Sequence, residues 1–265
     1  MIRDTMSRPL PSFGRRGLLA LPLLLLAPPA RAEDWDVLVN HVGPEGWPPY
    51  YYGEAAGGGI ALDLLAEIAR LSGIRIETRY VPMKRGFVQF RQGILTLETL
   101  VADHWRRGTE IEQLIVYSDP LMQGEEVLLF TPGRAFPVSG PGDLAGREVA
   151  TIRHYSYAGI DGARRVDMPQ EATLVVSVAK GVVPVGIVER NVGRHIARSM
   201  GLAVEFGPVR DSYAYRLGVH RDKAHLLPRL NAAIRRLRDE GGVERIVERH
   251  LGPSGAGDGS LARRR

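Results

Sequence analysis

The sequence predicts an α/β protein that contains a parallel β-sheet. Residues 36–81 alternate between a strand, a loop, a helix and a second strand, which is the pattern of a βαβ unit. Residues 127–130 are a short run of valine, leucine and phenylalanine, typical of a buried strand that can connect two lobes. A chain of 265 residues is long enough to form either one large domain or two small ones.

The βαβ unit is predicted from changes in the spacing of apolar residues. Residues 36–42 and 74–81 alternate in a way that indicates strands. Between them, apolar residues recur at three- and four-residue intervals, and a glycine follows where the helix should end. The helical stripe comprises Ile60, Leu64, Ile68 and Leu71, with Leu65 beside it and Gly73 at its end.

The loop between the first strand and this helix contains the first candidate binding residues. Residues 43–59 are rich in glycine and proline and include Trp47 and Tyr50. Aromatic side chains in a proline-stiffened loop lose little entropy when they contact a ligand. The alternative is that these rings only cover the hydrophobic core.

The formal net charge of +5 comes mainly from the ends of the chain. Residues 1–32 contain five arginines and one aspartate, and residues 263–265 are all arginine. The chain between these ends is near neutral, so it gives no indication of a nucleic-acid-binding surface.

The N-terminal residues resemble a secretory signal peptide. Arg15 and Arg16 precede an apolar run, and Ala30 and Ala32 are the small residues that a signal peptidase reads. Residues 1–32 are therefore predicted to be a signal peptide, and the arginine pair is typical of twin-arginine export. The apolar run is short for a membrane span, which is the alternative.

The sequence contains no hydrolase elbow, phosphate-binding loop, dinucleotide fingerprint or zinc-protease motif. It has no cysteine, which excludes disulfides, iron–sulfur ligation and thiolate zinc sites. No catalytic residue, metal site or cofactor is expected, because the histidines are dispersed without partners at metal-ligand spacing. They are His41, His104, His154, His195, His220, His225 and His250.

Five short segments occur in order along residues 37–252. They are 47–50 (WPPY), 59–64 (GIALDL), 117–121 (YSDPL), 144–151 (LAGREVAT) and the helical ending 230–252. Together they resemble the periplasmic solute-binding proteins of extracellular family 3, the polar amino-acid type. The resemblance implies a two-lobe, type II periplasmic-binding-protein-like fold. Each lobe is then a mainly parallel sheet flanked by helices, and two crossover strands form the hinge.

The same resemblance implies a division of the chain into lobes. Residues 33–124 and 213–252 form lobe 1, and residues 125–212 form lobe 2 with the crossovers. The ligand is expected in the cleft between them. Residues 253–265 have too little apolar content to pack, and they are predicted to be disordered.

In lobe 1, the resemblance implies binding residues in three places. Trp47 and Tyr50 match the family's first binding loop, and Arg85 matches an arginine in one branch of the family. A three-residue insertion displaces the family's carboxylate-binding arginine, which leaves Arg106 and Arg107 near its position. Either one holds a ligand carboxylate through a bidentate pair, or the ligand has no carboxylate. Solvated surface arginines are the alternative.

In lobe 2, the resemblance implies an anion contact and a cation contact. Arg153, Tyr155 and Ser156 stand where the family has a loop at a helix start, and backbone N–H groups at such a position attract anions. Glu189 stands where the family places the carboxylate that meets the ligand's ammonium group. The alternative for Glu189 is a first-turn glutamate favoured by the helix dipole.

These features predict a periplasmic solute-binding protein for a small polar or anionic ligand, either an amino acid or a related organic acid or amine. The expected partner is the permease and ATPase of an ABC transporter, and the protein is expected to be a monomer without enzymatic activity. Two alternatives stay open. One is a dehydratase-like enzyme with Glu189 or Glu98 as general acid, and the other is an accessory or sensory ligand-binding subunit.

Overall fold

Strand pairing places nine strands of the described residues in one sheet system. The computed structural model describes residues 36–153, 155, 157 and 159–252, so the predicted signal peptide and tail lie outside the described residues. The strands are β1 (Val37–Val42), β2 (Arg75–Tyr80), β3 (Leu97–Val101), β4 (Ile115–Tyr117), β5 (Met122–Phe130), β6 (Glu148–Ile152), β7 (Arg164–Met168), β8 (Val185–Glu189) and β9 (Glu205–His220).

The main helices lie on both sides of these strands. They are α1 (Ile60–Ser72), α2 (Met83–Arg91), α3 (Glu171–Ala179), α4 (Arg190–Ser199), α5 (Leu227–Asp239) and α6 (Gly242–Leu251). None of the described helices has the length and apolar content needed to cross a lipid bilayer.

The first lobe is built on three parallel strands. β1 lies between β2 and β3 and pairs in parallel with both, which confirms the predicted βαβ unit. The sheet continues through the C-terminal half of β9, which pairs antiparallel with β3 and β4. The predicted apolar stripe of α1 is confirmed: Ile60, Leu64 and Ile68 are fully buried.

Helices cover both faces of the first-lobe sheet. Leu38 of β1 is buried in a core cluster with side chains of α1, α5 and α6. The next residue, Val39, packs against a different cluster around Phe90 of α2. Successive side chains of a strand point to opposite faces, so the two clusters lie on opposite sides of the sheet.

The second lobe repeats the parallel arrangement. β6 lies between β7 and β8 and is parallel to both. β8 pairs antiparallel with β5, and β5 pairs antiparallel with the earlier part of β9. The carboxyl ends of β6, β7 and β8 therefore lie at one edge of this sheet.

β5 and β9 are the crossover strands between the lobes. The sequence predicts that residues 204–206 and 213–219 return the chain to the first lobe, and residues 205–206 and 213–219 lie in β9, which is one strand of 16 residues. Irregular register opposite β5 lets the pairing continue past Gly207 and Pro208. The two crossover strands are confirmed, while the residue boundaries of the lobes stay a prediction because β9 contributes to both sheets.

The structure also differs from the sequence-based expectation in several elements. β3, β7 and α3 have no counterpart in the prediction. The expected helix start after residue 153 is wrong, because the described residues between β6 and β7 form a loop. Gly159 and Gly162 have φ values of 68° and 80° in that loop, and these conformations turn the chain directly into the parallel strand β7.

Candidate functional site

The carboxyl ends of the parallel strands bring candidate binding residues to the cleft between the lobes. β1, β2 and β3 run in one direction, as do β6, β7 and β8. In open α/β sheets, ligands bind beyond the carboxyl ends of such strands. The side chains at these ends are Trp47 and Tyr50 after β1, Arg106 after β3, Tyr155 after β6, Glu171 after β7 and Glu189 at the end of β8.

The backbone of Tyr50 is held by the N-terminus of α1. The first N–H groups of a helix need acceptors outside it. Here Ile60 N donates to the Pro49 carbonyl at 3.0 Å, and Ala61 N donates to the Tyr50 carbonyl at 2.8 Å. Gly59 permits this close approach, because it has a φ of +121° and a Cβ there would lie 2.5 Å from the Tyr50 carbonyl oxygen.

The Tyr50 hydroxyl connects the two lobes. It donates a hydrogen bond to Glu189 Oε1 at 2.9 Å and accepts one from Asn191 Nδ2 at 3.1 Å. Tyr50 is fully buried and Glu189 is 7% exposed, so bulk water is largely excluded from this contact. Tyr50 thus belongs both to the core and to the predicted binding loop.

Glu189 is also the N-cap residue of α4. Its Oε2 accepts a hydrogen bond from the Val192 N–H at 2.9 Å. Burial raises the pKa of Glu189 to about 7, and the hydrogen bonds from Val192 and Tyr50 offset that rise only in part. Both carboxylate oxygens therefore already have donors within the protein.

Aromatic rings line the cleft along β9. The ring of Trp105 lies edge-on to Tyr213 and Tyr215, with centroid distances of 5.1 and 5.8 Å, and Trp47 lies 6.3 Å from Tyr215. Gly124 of β5 leaves room for them. A Cβ at Gly124 would lie 2.4 Å from a Tyr213 ring carbon and 2.5 Å from a Tyr215 ring carbon.

Arg106 is paired with a carboxylate of its own chain. Its Nε and Nη2 donate to the two oxygens of Glu98 at 2.9 and 3.2 Å. The guanidinium carbon also lies 5.1 Å from the centre of the Phe87 ring. The Glu98 side chain is 4% exposed and that of Arg106 is 16% exposed. Arg106 therefore forms the predicted type of bidentate pair, but with Glu98.

Glu98 is held in its ionised form. Burial raises its pKa, but His41 and the Arg106 guanidinium lower it, and the resulting pKa is below the usual glutamate value. The distance of 3.8 Å from His41 Nε2 to Glu98 Oε1 is too long for a hydrogen bond, so we attribute the lowering chiefly to Arg106. A general acid must hold a proton near neutral pH, and Glu98 does not fit that role.

The other predicted arginines lie at the surface. The Arg107 side chain is 69% exposed and its Nη2 is 3.5 Å from Asp103 Oδ2. Arg85 is exposed on α2 and makes no hydrogen bond or ion pair with the described residues, and Arg153 is exposed after β6. Ser156 lies outside the described residues. Binding roles for these four predicted residues stay predictions.

Charged residues of both lobes affect the pKa of Tyr155. The side chain is 52% exposed, so a ligand can contact it. The surrounding protein still removes water from its hydroxyl, and this burial, followed by the charges of Glu171 and Glu126, raises the pKa of Tyr155 to about 12. In the first lobe, the charge of Arg106 lowers this pKa and the charge of Glu45 raises it.

Two carboxylates at the cleft, Glu126 and Glu171, were not among the binding residues predicted from the sequence. Glu126 of β5 lies opposite Glu189 of β8 and Asp211 of β9, and opposed residues project from the same face. Burial, followed by the charge of Asp211, raises the pKa of Glu126 to about 7. Glu171 begins α3, and burial raises its pKa too. The only available signal was that Glu126 directly precedes the apolar run of the predicted crossover strand.

Solved structures share this architecture over most of the chain. The GluR0 ligand-binding core in complex with L-glutamate is 21% identical, with a TM-score of 0.67 over 81% of this chain and 97% of that chain. The chain has the type II periplasmic-binding-protein fold. The amino acid ABC transporter substrate-binding protein AbpA from Streptococcus pneumoniae, bound to L-arginine, has the same fold. It is 16% identical, with a TM-score of 0.64 over 82% of this chain and 94% of that chain.

The type II periplasmic-binding-protein fold also occurs in a histidine kinase sensor domain. That domain is 22% identical, with a TM-score of 0.64 over 82% of this chain and 96% of that chain. The predicted resemblance to amino-acid ABC transporter substrate-binding proteins is therefore confirmed as a structural match at low sequence identity. The fold is shared by proteins with different roles.

Comparison with family models and with curated proteins found no match. Within residues 36–252 as described, no group of three or more histidine, aspartate or glutamate side chains is placed to hold a metal ion.

Proposed function

We propose that this protein captures a small polar organic solute in the cleft between its two lobes. The hydrogen bond between Tyr50 of the first lobe and Glu189 of the second is the observation that carries this proposal. It joins the carboxyl ends of the parallel strands of both lobes, where aromatic rings and carboxylates lie together. A solute that contacts both lobes stabilises the closed arrangement over the open one.

A buried hydrogen-bond donor without a well-formed hydrogen bond supports a ligand at this position. Trp47 Nε1 is buried and has no hydrogen-bond partner among the described residues. Buried polar groups normally have a partner in the protein or in water. Trp47 follows β1, and the Glu171 carboxylate is its nearest acceptor: a hydrogen-bond interaction from the indole N–H lowers the pKa of Glu171, against the larger effect of burial, but it does not reach full hydrogen-bond geometry. A polar ligand between the lobes can accept from this N–H.

The proposed role is delivery of an amino acid, or of a related acid or amine, to an ABC permease in the periplasm. Residues 1–32 would direct export, and the protein would act as a monomer. Deleting the gene should abolish uptake of the solute that the purified protein binds. Unchanged uptake would contradict a carrier role and favour the sensory or accessory alternative, which predicts a stable complex with another protein.

The dehydratase-like alternative lacks a suitable acid among the two residues it was assigned to. Glu98 is ionised by Arg106. Glu189 has a pKa of about 7, as a general acid needs, but both of its oxygens are hydrogen-bonded within the protein, so neither is free to contact a substrate. We expect the bound solute to be recovered unchanged after prolonged incubation with the protein. Nuclear magnetic resonance of the mixture checks this, and a new product would contradict the binding-protein proposal.

Thermal unfolding of the purified chain tests the proposed function. The panel contains amino acids, small carboxylates, amines and aromatic acids. A ligand present at a hundred times its dissociation constant adds about 2.7 kcal/mol to the free energy of unfolding. For a chain of this size that raises Tm by roughly 5–10 °C.

A reproducible shift with one chemical class supports the proposed function. The shift should disappear in Trp47→Ala, which removes ring surface and the buried N–H. The absence of any shift across the panel, with a cooperative unfolding transition in the same samples, would contradict the proposal.

A further inference from the structure

A loop covers one face of the second-lobe sheet. Residues 153, 155, 157 and 159–163, which we call the β6–β7 loop, connect the two parallel strands. Ile160 of this loop is buried in one cluster with Val149 of β6, and Tyr157 and Ala163 pack against the same cluster. In α/β proteins such a face is usually covered by a helix. A loop lacks the regular backbone hydrogen bonds of a helix, so other groups must hold its shape.

Arg165 of β7 holds the start of this loop. Its Nη2 donates to the carbonyls of Ile152 and Tyr155 at 3.4 and 3.2 Å. Its Nε donates to Thr151 Oγ1 at 3.2 Å. Asp167 Oδ1 accepts from both nitrogens, at 3.2 and 2.8 Å. One planar guanidinium group thus connects the two strands to the backbone of Tyr155.

The pairing of β6 with β7 fixes the direction in which Arg165 points. Arg165 lies opposite Val149, and Asp167 lies opposite Thr151. Residues two apart in a strand project from the same face, so these side chains share the face that the loop covers. Thr151 is fully buried, and its hydroxyl donates to Asp167 Oδ1 at 2.7 Å. The carboxylate that orients Arg165 is therefore itself held from the interior of the sheet.

Two further contacts hold the loop along its length. The Tyr157 hydroxyl accepts from the Ile152 N–H at 3.0 Å. Arg210 Nη2 of β9 donates to the Gly159 carbonyl at 2.8 Å. Tyr155 differs from these residues, because its carbonyl is held by Arg165 while its side chain is 52% exposed. An open side chain at the carboxyl end of β6 thus stands on a backbone that is fixed from outside the cleft.

We propose that Arg165 is a positioning residue for solute binding. By holding the Tyr155 carbonyl, it keeps the β6–β7 loop in the conformation that presents the Tyr155 side chain to the cleft. Arg165 acts through the loop and not by contact with the solute. This inference rests on the proposed function and adds to it a residue of β7. A loop already held in its binding conformation loses less entropy when it contacts a ligand, so the affinity is higher.

The contacts of Arg165 predict a larger effect on binding than on stability. Its side chain is 34% exposed and that of Asp167 is 42% exposed. Ion pairs at such positions contribute little to stability, because water competes for both charges. Arg165→Met keeps most of the aliphatic side chain but removes every donor. Arg165→Lys keeps the charge, but a single ammonium group cannot reproduce the planar set of hydrogen bonds.

Spin labelling measures how firmly the loop is held. The chain contains no cysteine, so Tyr155→Cys provides a single attachment site for a nitroxide label. The carbonyl that Arg165 holds belongs to the backbone and is kept. We expect Arg165→Met to shorten the rotational correlation time of the label at least twofold. Arg164→Met is the matched control, because Arg164 is the neighbouring residue, projects from the opposite face and has a side chain that is 70% exposed.

Isothermal titration calorimetry of the purified chain measures the effect on binding. The probes are L-glutamine, L-arginine, L-glutamate and putrescine. For the probe that binds the wild type most tightly, Arg165→Met should raise Kd at least tenfold and Arg165→Lys several-fold. Arg164→Met should change Kd less than twofold. The Tm of the ligand-free Arg165→Met chain should stay within about 3 °C of wild type.

A double substitution distinguishes positioning of Tyr155 from a general loss of structure. In a Tyr155→Ala chain the ring that Arg165 positions is absent. Adding Arg165→Met to that chain should therefore change Kd less than twofold, so the two substitutions should be far from additive. If Arg165→Met does not unfold cooperatively, Arg165→Lys serves for the same comparison.

The outcomes separate the two proposals. If a probe binds the wild type and both Arg165 variants with the same Kd, this inference is overturned and the proposed function stands. A loss of affinity that is just as large in the Tyr155→Ala chain overturns it too. If no compound binds, neither among these probes nor in the wider unfolding panel, the proposed function fails and this inference fails with it.

Discussion

Glu189 is the single residue whose ionisation is most closely tied to the contact between the lobes. It accepts hydrogen bonds from Tyr50 in one lobe and from Val192 in the other, and it is 7% exposed. Loss of water favours the protonated carboxyl, while the hydrogen-bond donors favour the ionised form. The pKa of about 7 shows that loss of water has the larger effect.

Replacing Glu189 by glutamine should change how stability depends on pH. An unfolded chain loses the glutamate proton near pH 4.3, whereas the folded protein keeps it until about pH 7. Stability from this group is therefore fully present below about pH 4 and is lost as pH rises through 7. We expect the free energy of unfolding of Glu189→Gln, relative to wild type, to increase by roughly 3–4 kcal/mol from pH 4 to pH 8. Urea denaturation at several pH values measures it.

The glutamine amide can still accept from the Val192 N–H, but the Tyr50 hydroxyl, which accepts from Asn191, loses the carboxylate to which it donates. That loss lowers stability by a similar amount at every pH, so the charge is measured by how the stability difference changes with pH. Glu244→Gln is the control, because Glu244 is exposed on α6. It gives the effect of removing one exposed glutamate, with which the effect of Glu189→Gln is compared. If the Glu189→Gln curve runs parallel to the wild-type curve, the assigned titration is wrong.

For single residues, the sequence can locate a functional side chain, but it cannot identify the distant residue that this side chain contacts. Glu189 could be located because an apolar run ends there and a helix begins. Its partner Tyr50 is 139 residues away, and their contact depends on the placement of two lobes. The sequence also could not distinguish Arg106 from Arg107. Which of two adjacent arginines points inward depends on the backbone of a short loop and on the buried acceptor Glu98.

Among the secondary-structure elements, the pairing of β5 with β9 is the one that supports the aromatic side of the cleft. Gly124 of β5 lies beneath the rings of Tyr213 and Tyr215 of β9, and its lack of a side chain allows both rings to approach the strand. Glycine is otherwise unfavourable inside a strand, so its presence marks a position where packing requires close approach.

Gly124→Ala should destabilise the protein by about 1–3 kcal/mol, because its Cβ would lie 2.4 Å from the Tyr213 ring and 2.5 Å from that of Tyr215. Gly140→Ala is a matched control, since nothing lies within 4 Å of a Cβ there and φ is −159°. Gly140→Ala should change the free energy of unfolding by less than about 0.5 kcal/mol. Urea denaturation measures both, and equal effects would contradict the packing argument.

Helices and strands with a regular spacing of apolar residues could be predicted from the sequence. Those that depend on pairing with another strand could not. The stripe of α1 gave its position, and Gly73 ends it in the left-handed conformation that a helix terminus favours. The continuity of β9 could not be predicted, because Gly207 and Pro208 usually interrupt strand pairing. An irregular ladder opposite β5 accommodates them, and a single sequence contains no sign of that partner.

For the molecule as a whole, the shared strands make the two lobes dependent on each other. β9 pairs with β3 and β4 in the first lobe and with β5 in the second, so neither sheet is complete without it. The lobes are also joined outside the cleft, where Arg198 Nη1 of α4 donates to the Leu251 carbonyl of α6 at 2.9 Å.

We therefore expect a single cooperative unfolding transition. In differential scanning calorimetry, the calorimetric enthalpy should equal the van't Hoff enthalpy, because loss of β9 removes strand partners from both sheets together. Two resolved heat-absorption peaks, or a calorimetric enthalpy well above the van't Hoff enthalpy, would show that the lobes unfold independently and would contradict this expectation.

The position of β9 near the end of the chain also affects the order in which the nascent polypeptide can acquire structure. The strands and helices of the second lobe that precede β9 can assemble with β5 as soon as they leave the ribosome. β3 still lacks its antiparallel neighbour at that stage, and α1 still lacks the helices α5 and α6 against which it packs. The lobe that is synthesised first is therefore the one that is finished last.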